Sequence, residues 1–303
     1  MPHPVEIGQL YLLLLSFPLY LCFLFTLIRF RQKPPFNGPF FRLCLNLGIA
    51  DVLALTNSYL FFKFPSFGWF GLAALADYPQ VAKLTIMASW QLALTQHLGI
   101  ATLALNRFTG LVTPLRHDLI WTDRTLVIVI ILQWLLPAIA VSPQLNLPYV
   151  YQVNPETGEV GKPRWIDQDM QRIYFTSLLI FNASVNLFTL ALYISIFYKT
   201  KQLSEADAGA RANRLDRKLA VYGFCVFLAM FLFGVYALSR ALMPKGDLKM
   251  WKLLILLYGV CNDVFSWCNP WLSVLLLKTV RAHMKYVVCC KAFDQNAVVA
   301  LQT

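Results

Sequence analysis

Seven stretches of nearly unbroken apolar sequence, divided by short polar segments, dominate the pattern of this chain. They lie near residues 8–28, 40–62, 80–107, 125–142, 171–198, 217–241 and 250–277. Crossing about 30 Å of hydrocarbon as a helix takes roughly 20 residues at 1.5 Å each, and every stretch approaches or exceeds that length. The third, fifth and seventh are longer, which predicts tilt or extension past the membrane. No period-2 alternation of a membrane barrel is present. In a bilayer each segment must satisfy its own backbone hydrogen bonds, so helices are expected, kinked rather than ended by Pro18, Pro137 and Pro270. The predicted fold is an all-α bundle of seven transmembrane helices forming a single domain over 1–303, with a cytoplasmic tail at 278–303.

Composition agrees with that pattern. Apolar residues make up 58% of the 303 positions and charged residues 14%, against about half and about a quarter in a soluble domain. Lysine and arginine then orient the bundle, because they accumulate on the cytoplasmic side of short loops. With the N-terminus outside, 17 of the 26 basic residues fall inside, and seven acids offset the nine that remain outside. The formal charge of +11 is therefore almost wholly cytoplasmic, predicting attraction to anionic inner-leaflet lipid and to an acidic partner. The basic residues are spread over four separate segments, which argues against a nucleic-acid-binding module.

Of the seven cysteines, five fall within spans and Cys289 and Cys290 in the tail, so no extracellular disulfide is expected. The first apolar run lacks both a basic lead and a small-residue cleavage site, and reads as the first helix rather than a signal peptide. The longest outer loop, about 143–170, carries Pro143, Pro148, Pro155 and Pro163 with Gly158 and Gly161; it is expected to fold back as a lid over an outer pocket. Phe64, Phe67, Trp69 and Phe70 read as an interfacial aromatic belt. A segment from Lys278 to Val288 gathers Val280, Met284, Val287 and Val288 on one side, as in a helix lying on the inner leaflet, with Cys289 and Cys290 either palmitoylated or free thiols. The Asn182-Ala183-Ser184 sequon lies inside the fifth span, where glycosylation is not expected.

Polar residues inside the spans fall into stripes. At about 100° per residue, Ser89, Gln96 and Arg107 share one face of the third span, with Ser89 about 27 Å above Arg107. One face can thus hold an outer-pocket contact, a mid-membrane amide and a cytoplasmic cation, or else Ser89 and Gln96 bond to neighbouring helices. In the seventh span Asn262, Ser266, Asn269 and Ser273 recur at four, three and four residues, again on one face. A carboxylate at mid-membrane costs roughly 2.5–3.5 kcal/mol on insertion scales, so Asp51 needs partners, and this stripe with Gln96 can supply them. The set is read either as a network that switches with ligand or as a static interhelical one. Asp263, on another face, is a ligand counter-charge or pairs within the bundle. His3, His97, His117 and His283 are widely separated and form no catalytic constellation, so an enzyme is not expected, nor any organic cofactor.

Three short motifs carry a resemblance. Asn106-Arg107-Phe108, followed after six residues by Pro114-Leu115, resembles the acid-Arg-aromatic signature of rhodopsin-like G-protein-coupled receptors; Leu47-Gly48-Ile49-Ala50-Asp51 resembles their Leu-x-x-Ala-Asp; and Asn269-Pro270-Trp271-Leu272-Ser273 resembles Asn-Pro-x-x-Tyr with Ser273 in place of Tyr. Trp134 in the fourth span fits as well. Leu105 to Thr109, Pro114-Leu115-Arg116-His117 and Ile120-Trp121 are similar to nematode serpentine chemoreceptors of class V or the related class gamma.

The resemblance implies a receptor for an environmental small molecule that activates a heterotrimeric G protein, in the plasma membrane of a sensory-neuron cilium. It implies coupling through Asn106, Arg107, Phe108, Pro114 and Leu115, a switch network around Asp51 that holds a sodium ion, and a ligand pocket near Ser89 and Asp263. This chain departs from the rhodopsin-like pattern at several points. Asn106 replaces the acid, the sixth span has no proline or Cys-Trp-x-Pro, the fifth has no central proline and the first has no Asn. Arg107 then needs another anchor, for which Asp216 is the candidate, its alternative being a solvated loop charge. A seven-helix ligand-gated channel or transporter is the competing function. Aromatic and apolar walls with few fixed charges predict a small neutral or amphipathic ligand.

Overall fold

The computed structural model describes residues 3–153, 160–205, 210–242 and 248–288. Cys289 and Cys290 lie outside the described residues, and so does the side chain of Asp216. The first helix, α1 (Pro4–Phe30), starts at a reciprocal cap: His3 Nδ1 accepts from the Val5 amide, and the Glu6 carboxylate accepts from the His3 amide at 3.0 Å. Next comes α2 (Pro39–Asn57), which runs without a break into a π-helical turn, Ser58–Lys63, and a short α3 (Phe64–Phe67). Gly68, with φ at 70°, ends it in the left-handed region that glycine enters without steric cost, and a 3-10 segment, Trp69–Asp77, leads on.

The longer elements that follow are α4 (Pro79–Val112), α6 (Asp123–Val141), α7 (Gln168–Glu205), α8 (Ala210–Ala241) and α9 (Leu248–Leu276). Two short helices stand apart from these, α5 (Pro114–Ile120) between α4 and α6, and α10 (Lys278–Val288) after α9. Running through the middle of the bundle, α4 touches α2, α6, α7 and α8, while α1 packs on α2 and α9. A continuous core of Tyr20, Phe23, Leu47, Ile100, Tyr222 and Met230 with their neighbours fills the centre. Outward, α6 presents Val127, Ile128, Ile131, Leu135 and Ile139, an apolar surface suited to lipid rather than water.

Among the described residues, five stretches are long and apolar enough to cross a membrane: Pro4–Phe30, Pro39–Phe67, Asp123–Asn146, Asp169–Gln202 and Val221–Arg240. Neither α4 nor α9 is among them. Gln91, Gln96 and His97 interrupt the apolar sequence of α4, and Asn262, Asp263 and Asn269 that of α9, and most of these side chains are buried against other helices. The chain is a helical, multi-pass membrane protein.

The all-α expectation needs one correction. Strands β1 (Tyr149–Val153) and β2 (Val160–Trp165) pair antiparallel, with Tyr149 opposite Trp165. Alternate side chains of this hairpin, Tyr149, Tyr151 and Trp165, are buried with Ala82 and Ile86 of α4. Proline and glycine content had flagged turns there; the pairing is made by burying three aromatics on one face. Trp69 and Phe70 remain exposed, and Phe64 stacks on Trp69 at 5.9 Å.

Candidate functional site

Beneath the hairpin lies a cavity of about 780 Å³, its open mouth included. Phe62, Trp90, Trp165, Phe175, Phe233 and Tyr258 supply aromatic wall, Ser89 and Gln171 neutral polar groups, and Lys162, Arg164 and Arg240 charge. Ser89 of α4 lines the cavity, and it also accepts a hydrogen bond from Asn57 Nδ2 at 2.8 Å.

Asp263 requires a correction. It does not line this cavity but is paired within the bundle: Lys63 Nζ stands 2.7 Å from Asp263 Oδ2, and the Tyr59 hydroxyl donates to the same oxygen at 2.8 Å. Lys63 Nζ also donates to Gln9 Oε1 at 3.2 Å and lies 3.9 Å from the Tyr59 ring centroid. The π-helical turn that carries Tyr59 and Lys63 changes the register of the helix face, aiming both at α1 and α9. Sequence reading missed this lysine by assigning it to the outer loop. Its position directly after the second apolar run, 40–62, was the available signal. Asn262 is buried beside Asp263.

At mid-bundle, Asp51 Oδ1 accepts from Gln96 Nε2 at 2.6 Å, and Oδ2 accepts from the Tyr20 hydroxyl and from Asn269 Nδ2. Gln96 Nε2 also reaches Ser266 Oγ at 3.1 Å, and the Tyr222 hydroxyl donates to Asn269 Oδ1. Ser273 is buried next to Tyr222. Tyr20 and Tyr222, absent from the sequence reading, supply the hydroxyls that close the network. A sodium ion needs a cage of oxygen lone pairs. Here both carboxylate oxygens face N–H and O–H donors, and Gln96 turns its amide nitrogen toward Asp51 and Ser266. The residues present do not fit the ion. Among the described residues no cluster of His, Cys, Asp and Glu is placed to hold a metal.

One residue on from Gln96, His97 is completely buried. Its Nδ1 meets the Ala93 carbonyl at 2.6 Å, its Nε2 meets the Asn182 amide, and its ring lies 5.5 Å from Phe233 and 5.3 Å from Phe265. The sequon asparagine is thus committed to the core. His97 is a second node that sequence reading did not select; a histidine at mid-membrane depth was its signal.

At the opposite end of α4, Arg107 Nη2 donates to Asn106 Oδ1 at 2.8 Å, and the guanidinium lies 4.3 Å from the Phe40 ring centroid. An amide oxygen and an aromatic face are thus among the contacts of the guanidinium. The following turn is fixed by Trp121 Nε1 donating to Thr109 Oγ1 at 2.8 Å, with His117 Nδ1 3.2 Å from the same oxygen. Burial, and then the Arg107 charge, lower the pKa of His117 below its ordinary value. Phe108 packs on the core, Pro114 opens α5, and Leu115 is 94% exposed.

Comparison with known proteins agrees with the motifs. The family described as "Serpentine type 7TM GPCR chemoreceptor Srv" matches residues 9–290. Serpentine receptor class V-1 of Caenorhabditis elegans is 31% identical over 87% of this chain and 82% of its own length. The lutropin-choriogonadotropic hormone receptor of Callithrix jacchus is 27% identical over 48% of this chain, which spans 22% of that receptor. The first match separates class V from class gamma, which the short motifs alone left open. The chain belongs to the Srv family of serpentine seven-transmembrane G-protein-coupled chemoreceptors.

Proposed function

We propose that all seven long helices cross the plasma membrane with the N-terminus outside, that a small extracellular molecule binds beneath the hairpin, and that the cytoplasmic end then activates a heterotrimeric G protein. The sensory-neuron cilium is the proposed site of action. The chain binds and relays; it does not catalyse, and its partners are ligand, G protein and lipid bilayer rather than nucleic acid.

The observation that carries this reading is a contiguous path of contacts from the cavity to Arg107. Phe233 lines the cavity and meets His97. Gln96, next in sequence, holds Asp51, which meets Asn269. Asn269 accepts from Tyr222, whose ring lies 5.9 Å from Phe40, the ring against which Arg107 rests. A ligand that moves α8 at Phe233 changes contacts that end at Arg107, and a population shift between two packings needs no more than that differential contact. Leu115, Leu119 and Ile120 expose apolar area beside Arg107 that a G protein can cover.

The test expresses the chain with tags at both ends and measures nucleotide exchange on purified G protein against a panel of volatile and water-soluble metabolites. The expected result is a response that Arg107→Ala abolishes while surface expression and an outside N-terminus persist. An Arg107-independent ion current, or an N-terminus found inside, would replace the receptor reading with that of a channel.

A further inference from the structure

Ring contacts around the cavity narrow the class of ligand. Of the 16 described residues that line it, seven are aromatic, about three times the 15% share of aromatics in the whole chain. They form one connected wall. Trp165 meets Trp90 at 6.2 Å between ring centroids, Trp90 meets Phe175 at 5.1 Å, and Phe175 meets Tyr236 at 6.4 Å. Tyr236 continues to Tyr258 at 5.4 Å and to Phe233 at 5.7 Å, and Tyr258 to Phe62 at 6.3 Å. The first three of these pairs are inclined at 74°, 62° and 79°, so ring faces and ring edges stand side by side along the wall. The hairpin, the π-helical turn after α2, and α4, α7, α8 and α9 all contribute rings to it.

We infer that the cavity selects its ligand by an aromatic ring, taking a benzenoid or indole-like small molecule in preference to an aliphatic or alicyclic one of the same size. This rests on the cavity being the ligand site. An aromatic ring has a negative face and a positive edge, and a wall that offers both aspects complements it through edge-to-face and offset contacts. A saturated ring of equal bulk has no such quadrupole and gains only burial. The two chemistries therefore rank ligands in opposite orders. Burial alone favours the saturated ring, which exposes more apolar surface to water, whereas ring recognition favours the aromatic one. Phe233 belongs to this wall and also meets His97, so an aromatic guest seated against it touches the start of the path to Arg107. Lys162, Arg164 and Arg240 line the cavity as well, more fixed charge than the sequence suggested, and a neutral head on the test compounds keeps charge out of the comparison.

The test uses the purified full-length chain in lipid nanodiscs, without G protein, and two matched pairs of neutral alcohols: phenylethanol with cyclohexylethanol, and naphthylethanol with its fully saturated counterpart. Equilibrium dialysis, with uptake by empty nanodiscs subtracted, should show each aromatic member bound at least about fivefold more tightly than its saturated partner. Trp90→Leu and Phe175→Leu, which keep apolar bulk and remove a ring, should bring that ratio to about one or below, and Trp90→Phe should keep most of it. Melting of each unliganded variant identifies any that has lost its fold, and the ranking in the unaltered chain stands by itself. Equal or tighter binding of the saturated members, no binding of either aromatic member, or a ratio unchanged in both leucine variants would overturn the inference. Aromatic preference without Arg107-dependent nucleotide exchange would remove the signalling reading and leave this one standing. Arg107-dependent exchange driven equally by both members of a pair would do the reverse.

Discussion

Lys63 and Asp263, 200 positions apart in sequence, meet at 2.7 Å with their side chains 2% and 1% exposed. Two charges so far from water persist only as a pair, and here Tyr59 and Gln9 take up further hydrogen-bonding capacity. The pair ties the π-helical turn after α2 to α1 and α9 at one level of the bundle.

Breaking this pair should be costly and removing it much less so. Lys63→Met or Asp263→Leu leaves one uncompensated buried charge and should destabilise by roughly 3–5 kcal/mol, while the double variant recovers most of that loss. Thermal melting of the detergent-solubilised protein reads the difference. Single variants as stable as the unaltered chain would mean that the pair contributes nothing.

Tyr20 is the hydroxyl that most closely approaches Asp51. Tyr20→Phe leaves Oδ2 with Asn269 alone, at 3.3 Å, and should cost about 1–3 kcal/mol. Because hydrogen-bond donors already surround the carboxylate, exchanging sodium for N-methylglucamine in the buffer should leave the melting temperature unchanged. A sodium-dependent rise that disappears in Asp51→Asn would show an ion at the site.

At the Arg107 end of α4 the anchor and the exposed surface separate cleanly. Trp121→Phe removes the hydrogen bond to Thr109 and should loosen α5 by about 0.5–1.5 kcal/mol. Leu115→Asp changes a side chain that packs on nothing, so it should leave folding and ligand binding intact and reduce G-protein activation. A fold-breaking Leu115→Asp would place that residue in the core instead.

His283 provides a pH test outside the spans. It is buried between Phe30 and Phe36, with ring centroids at 4.7 and 4.8 Å. Burial lowers its pKa below the ordinary 6.5, and the nearby Lys33 charge acts in the same direction. The folded chain therefore binds fewer protons than the unfolded chain below that value. Stability from neutral His283 is present above it and lost as pH falls through the window beneath it. Between about pH 7.5 and about pH 5.5 the melting temperature should fall more for the unaltered chain than for His283→Phe. Equal falls would remove His283 as the cause.

How much of this was legible in the sequence follows from the range of each interaction. The long helices overlie the seven apolar runs because solvation by lipid acts on each segment separately, and burial repeats with the helical period. Ser89, Gln96 and Arg107, or Ser266, Asn269 and Ser273, share a face because 3.6 residues per turn is local geometry. The partners across helices were not legible. Tyr20 on Asp51, Tyr222 on Asn269, Asn182 on His97 and Lys63 on Asp263 join segments whose mutual rotation no local rule specifies. An aromatic or an asparagine in an apolar helix looks alike whether it faces lipid or a carboxylate. Nor could spacing reveal that Arg107 rests on Phe40, that hairpin burial would pair β1 with β2, or that three cations from separate segments would meet around one cavity. Local hydrophobic pattern alone determined the class and the faces; the choice of partners belonged to tertiary packing, because only a packed bundle makes one buried polar group depend on another.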